Sequence, residues 1–140
     1  MKEKMRKIAE QLESKGEMRF LEAATADQIA DFEKKQGVLL PEQYKEWLLV
    51  SDGGELFLPA GVQLYGVAHK PLIDVNDNDR PDENYVVIGA LASGDPVIYR
   101  KGQETTAIYN MGAGRIEEDE IYEDFSVFLN NLDVILGIGG

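Results

Sequence analysis

The chain reads as an α+β protein in which N-terminal helices precede a largely antiparallel sheet of about five strands, closed by a C-terminal helix packed on the sheet. Three observations predict this. Up to Gly54 apolar residues recur at helical spacing; beyond it they gather in short runs rich in β-branched and aromatic residues, separated by Gly, Pro, Asn and Asp. No helical pattern interrupts those runs, which leaves no place for the crossover helices of a parallel sheet. A last helical stripe follows the final run.

Met5, Ile8, Ala9 and Leu12 mark the apolar face of a first helix that ends at Gly16. Thr25 and Gln28 have the spacing of a capping box and open a second helix, with Ile29 and Phe32 facing inward and Gly37 as its stop. The third helix lies in LPEQYKEWLLVSDGG, Leu40 to Gly54. Pro41 suits the first helical position, where its missing N–H is no loss, and Glu42 follows where the helix dipole favours negative charge. Tyr44, Trp47, Leu48 and Ser51 share one face, and Gly53 supplies the left-handed conformation that ends a helix.

The expected strands are ELFLP, VQLYGV, YVVIGA, PVIYR and TTAIYN. Ala68 to Asn84, with Pro71, Pro81 and four aspartates, is too long and polar for a tight hairpin and reads as a surface loop. Tyr122, Phe125, Phe128, Leu129, Leu132 and Ile135 trace the C-terminal helix. No repeat or linker divides the chain, so residues 1–140 are read as one domain with its core over roughly 25–136 and a GIGG tail, 137–140, expected to fray.

The composition excludes several kinds of chemistry. With no cysteine there is no disulfide, thiol nucleophile or cysteine-based zinc site. The first residues, MKEKMRKIAEQ, lack a signal peptide's apolar core, and YVVIGALA is too short to span a bilayer, so a cytoplasmic protein is expected. The net charge is -12, unevenly placed: through Val50 nine Lys and Arg face ten Asp and Glu, whereas from Ser51 onward five face sixteen. Such a field repels nucleic acid and anionic membrane and attracts a basic protein.

The acidic residues form two groups. DVNDND, from Asp74, places Asp74, Asn76 and Asn78 at positions one, three and five of a calcium loop, but position six is Asp79 rather than Gly and position twelve is Tyr85 rather than Glu. The loop is therefore read as solvated, with Asp74, Asp77, Asp79, Asp82 and Glu83 available to a basic partner. Glu117, Glu118, Asp119 and Glu120, followed by Glu123 and Asp124, are expected just before or inside the last helix. One of these carboxylates can serve as N-cap, but six exceed what capping needs, which makes the first four a second partner-binding candidate.

No catalytic constellation is legible. Exposed acids on one loop offer no difference of environment to drive two pKa values apart, which a carboxylate acid–base pair requires. His69 is the sole histidine and the sequence supplies it no nucleophile. Gly112 and Gly114 in GAGR lack the third glycine and adjoining helix of a dinucleotide site. Trp47 is read as core, Tyr44 is open between core and surface, and Tyr65, Tyr85, Tyr99 and Tyr109 lie on strands where tyrosine spans core and rim.

The segment Leu40 to Gly54 resembles the SMI1/KNR4, or SUKH, superfamily on Leu40, Pro41, Tyr44, Trp47, Leu48 and Asp52-Gly53-Gly54, in that order. The preceding TADQIADFEKKQGVLLP, a Gly94-Asp95 pair opening a strand and an FSVFL helix behind an acidic stretch extend the likeness over roughly Thr25 to Leu136. Asp52 stands where many members have asparagine. The resemblance implies an α+β sheet with flanking helices, and a bacterial immunity protein that binds and neutralises a polymorphic toxin, often a nuclease. Joined to the acidic second part, it implies a basic toxin as partner, no enzymatic activity and no cofactor. Two other functions stay open: an intracellular regulatory or scaffold module, as in fungal members, and a small hydrolase built on His69 or the acidic cluster. The oligomeric state is not legible.

Overall fold

The computed structural model describes residues 2–137 of the 140-residue chain. Helix α1 (Lys2–Lys15) buries Met5, Ile8, Ala9 and Leu12, the stripe its sequence spells out. Helix α2 (Ala26–Gln36) opens on the capping box: the Thr25 side chain accepts from the Gln28 N–H, and the Gln28 side chain accepts from the Thr25 N–H. It buries Ile29 and Phe32 and stops at Gly37, whose φ of 65° is left-handed.

Helix α3 (Glu42–Leu48) differs from expectation at both ends. Pro41 is its N-cap, one position before the first helical residue, and has no capping side chain to offer. Glu104, 62 residues downstream of Glu42, replaces it by accepting the Glu42 and Gln43 N–H groups at 2.8 and 3.2 Å. The helix closes on Leu49 in ordinary right-handed geometry rather than on Gly53. Gly53, with φ 93°, lies in the turn into the sheet, where a Cβ would come 2.6 Å from the Leu64 carbonyl oxygen.

Six strands follow, antiparallel and paired in chain order: β1 (Gly54–Leu56), β2 (Val62–Leu64), β3 (Tyr85–Leu91), β4 (Pro96–Arg100), β5 (Thr106–Asn110) and β6 (Arg115–Tyr122). The five expected strands are present. The sixth adds to the reading of the acidic run: Glu117, Glu118, Asp119 and Glu120 precede the last helix, as one of the two expected placements has it, but as part of the unexpected strand β6. Acidic residues are poor strand formers in general, and an outermost strand is where they are tolerated, because their charge deters another chain from adding to the open edge. The register slips between Ala107 and Tyr109, which further blunts that edge. At the other side β1 bridges the Arg19 segment, whose N–H and carbonyl exchange bonds with Glu55.

From Phe125 onward the C-terminal stripe forms two short helices, α4 (Phe125–Asn130) and α5 (Leu132–Ile135), while Tyr122, expected on the helix, is the last residue of β6. Asn131 divides them, and its side chain donates to the Val127 carbonyl at 2.7 Å. Asp124 is the N-cap of α4, accepting from the Val127 N–H and the Ser126 hydroxyl. Of the expected frayed tail, residues 138–140 lie outside the described residues.

The helices share one core with one face of the sheet: Met5, Trp47, Phe125 and Phe128 pack with Val86, Ile88, Val97, Tyr99 and Ile108. Trp47 meets Phe20 and Phe125 edge-on, and Phe125 meets Tyr44. A second, smaller cluster lies on the opposite face, where the paired row Val87, Ile98 and Ala107 is buried and, among the described residues, no helical side chain belongs to the cluster. Among the described residues no helix is long and apolar enough to cross a membrane.

Candidate partner-binding surface

The long loop from Ala68 to Asn84 is fixed at its root by one buried carboxylate. Asp52, wholly shielded from solvent, accepts the N–H of Val67 on one oxygen at 2.7 Å and those of Ala68 and His69 on the other at 2.8 and 2.7 Å. The second oxygen also receives His69 Nδ1 at 2.9 Å. Gly66 lets the chain pass this close, since a Cβ there would lie 2.6 Å from the Asp52 carboxylate. Both oxygens therefore act as acceptors, and asparagine would turn a donor toward backbone donors. Nearby, Trp47 Nε1 and Ser51 Oγ both donate to the Gly53 carbonyl, and the Tyr44 hydroxyl donates to the carbonyls of Tyr65 and Ile88. Tyr44 is thus core: burial pushes its hydroxyl pKa well up, with the Asp52 charge adding to the effect.

The His69–Asp52 pair was not legible in the sequence, because the two are 17 residues apart and meet only once β2 has doubled back. It has the form of the base and orienting half of a hydrolytic triad. Its other nitrogen, Nε2, faces the Glu22 carboxylate at 3.7 Å rather than a hydroxyl, and the neighbouring Ser51 hydroxyl is buried and donates to Gly53. The pair clamps the loop.

Beyond the clamp, the expected acidic residues line the loop. Asp74, Asp77 and Asp82 each accept the N–H two residues ahead, bracing three successive turns, while the Arg80 guanidinium donates to the Val75 and Tyr85 carbonyls. Asp79 and Glu83 are exposed on the same loop. Asp77 and Asp79 stand near Tyr65, whose hydroxyl pKa is raised by burial first and by these two charges next.

The second expected group lies on β6, three strand spacings from β3 and so about 14 Å across the sheet from the strand the loop enters. Glu118 and Asp119 are exposed, Glu117 pairs with Arg115 at 2.9 Å, and Glu120 is part-buried. Burial holds the Glu120 carboxyl above its usual pKa, and Asp119, Asp95 and Glu117 add to the shift. Three negative neighbours around one carboxylate leave a place where a positive charge would be stabilised.

Between the two groups lies the helix-free sheet face. Tyr65, Tyr85, Tyr109 and Ile116, all part-exposed, pack over the buried row Val87, Ile98 and Ala107. Ile121, paired with Ala107 and 48% exposed, extends this face to the edge. The Arg100 guanidinium sits 5.7 Å from the Tyr85 ring centroid.

Comparison with known proteins agrees with the architecture. A stretch of 79 residues is 35% identical to the uncharacterized protein YnaB of Bacillus subtilis (strain 168) and covers 56% of this chain. The same stretch spans 52%, about half, of that relative's length. Residues 23–131, from before α2 to the end of α4, match the SMI1 / KNR4 family (SUKH-1). That span takes in the Asp52 clamp, the whole sheet and both acidic groups, and the chain belongs to the SMI1/KNR4 (SUKH-1) family.

Proposed function

We propose that this chain is an immunity protein that binds a cognate bacterial polymorphic toxin, a nuclease with a basic surface, and neutralises it by steric and electrostatic occlusion. The family generally includes immunity proteins against such toxins, which supports the class. The observation that carries the basic nuclease is the charge: sixteen acidic residues against five basic ones from Ser51 onward. A nuclease must gather phosphates with positive charge, and an acidic domain competes for the same groove. The contacts proposed are Asp74, Asp77, Asp79, Asp82 and Glu83 on the loop and Glu117, Glu118, Asp119 and Glu120 on β6. The protein acts as one domain in the cytoplasm and without catalysis, its Asp52–His69 pair serving the scaffold.

The test is rescue. Cells expressing the cognate toxin domain should survive when this chain is co-expressed and die when Glu117, Glu118, Asp119 and Glu120 are replaced by lysine. Equal survival would remove β6 from the interface. Association should approach roughly 10^8 M^-1 s^-1 at low salt and slow steeply as salt is added. A rate that stays flat with salt would overturn the electrostatic part. If a folded His69→Ala variant lost a hydrolytic activity that the parent possessed, the non-enzymatic reading would fail.

A further inference from the structure

The face of the sheet that is helix-free among the described residues combines three properties. It has an apolar floor, Val87, Ile98 and Ala107, which is buried although no helix covers it. Three part-exposed tyrosines, Tyr65, Tyr85 and Tyr109, stand on that floor, and Ile121 carries it to the edge at 48% exposure. Carboxylates border it, with Asp77 and Asp79 beside Tyr65 at one side and the acidic β6 at the other.

We infer that this tyrosine face is the apolar centre of the partner interface, and that its occupant is a protein surface presenting arginine side chains with apolar residues between them. Tyrosine offers a large, rigid contact area at small entropic loss and its ring face attracts guanidinium groups, a mode the chain already uses where Arg100 lies over Tyr85. Acidic groups alone give steering and little tightness, because exposed ion pairs contribute weakly. A desolvated centre inside a charged rim supplies what they lack. The same charges argue against the other occupants. A second copy would bring another net charge of -12 against this one, and nucleic acid would be repelled. The inference deepens the immunity reading by naming the centre of its contact, and in that sense rests on it.

A titration followed by amide NMR decides it without a known toxin. The probe is an octapeptide alternating arginine and leucine, compared with octalysine. Saturable shifts centred on Tyr65, Tyr85, Tyr109 and Ile121 with the arginine–leucine peptide, absent with octalysine, are expected. Ile121→Arg, at an exposed site where the fold should persist, should weaken that binding about tenfold, and Tyr65→Ala with Tyr109→Ala should do the same. Shifts confined to the acidic residues, equal for both peptides and indifferent to Ile121→Arg, would overturn the proposal, as would no binding at all. Toxin rescue separates the two readings. Peptide binding here with no toxin neutralised would refute immunity and leave the face standing, whereas neutralisation with a toxin affinity that Ile121→Arg leaves unchanged would refute the face and leave immunity standing.

Discussion

The two faces of the sheet use the same residue type in opposite ways. On the covered face Tyr44 and Tyr99 are buried, and each hydroxyl donates to a backbone carbonyl, Tyr44 to those of Tyr65 and Ile88 and Tyr99 to that of Leu39. Burial raises both pKa values, so these rings are fixed and neutral. On the open face Tyr65, Tyr85 and Tyr109 leave part of each ring in solvent over a floor that is itself dry. The difference teaches that burial alone does not separate scaffold from surface. What separates them is whether the ring's polar end donates to a backbone carbonyl of the core; on the open face the Tyr85 hydroxyl instead accepts from the exposed Arg100 side chain at 3.5 Å.

If that distinction holds, the largest losses of stability must come from the covered side. Trp47→Ala should cost about 3 to 5 kcal/mol, since it empties a wholly buried site packed against Phe20 and Phe125 and frees the Gly53 carbonyl of one donor. Asp52→Ala should cost about 3 kcal/mol or more by stranding the N–H groups of Val67, Ala68 and His69, and hydrogen exchange should rise first in the loop they open. Chemical denaturation measures both. A loss below 1 kcal/mol at either position would mean that the motif from Leu40 to Gly54 is not the scaffold.

Glu104→Ala comes next, at about 1 kcal/mol, the usual worth of an N-cap. It also marks where the sequence stops being informative. The capping box of α2 is written within four consecutive residues and was legible, whereas Glu104 reaches α3 from the β4–β5 connection and is invisible to any local pattern. The Asp52–His69 clamp is hidden for the same reason. Gly53 suits a stop signal by its place after a helix, while its actual constraint, the Leu64 carbonyl, lies on another strand. The β6 strand is hidden for a different reason: four consecutive acids suppress every local strand signal, and their place on an outermost strand emerges only from the pairing of the whole sheet. The loop acids and the faces of α1 and α2, which depend on order along the chain alone, fall where the pattern puts them, whereas Ser51 lies beyond α3 and Tyr122, read as helical, ends β6.

The open face should show the reverse balance. Tyr109→Ala is expected to change stability by less than about 1 kcal/mol while weakening partner binding about tenfold, the behaviour of an interface anchor. A Tyr109→Ala protein that unfolds as readily as Trp47→Ala would erase the distinction between the faces.

The smallest stability effect, and the one that reads the charge directly, belongs to Glu120. Its folded pKa lies above that of the unfolded chain because burial and then Asp119, Asp95 and Glu117 disfavour its charge. The folded state therefore holds this proton more tightly than the unfolded state does, and Glu120 penalises folding once the pH rises through its raised pKa. Below the unfolded value the penalty vanishes. Glu120→Gln removes the repulsion, so stability at neutral pH should be unchanged or slightly higher, and the carboxylate's share of the pH dependence should disappear. Partner binding should move the other way: a basic surface favours the ionised form, so affinity should fall as the pH drops through the raised Glu120 pKa, and Glu120→Gln should flatten that fall. A group kept ionised at a cost to its own fold and recovered on contact belongs to an interface, whereas Asp124, whose pKa is raised by burial but lowered further by the Val127 N–H, the Ser126 hydroxyl, Lys4 and Gln43, belongs to the scaffold. Should Glu120→Gln destabilise the protein instead, the acidic β6 would have to be counted with Asp124 as structure.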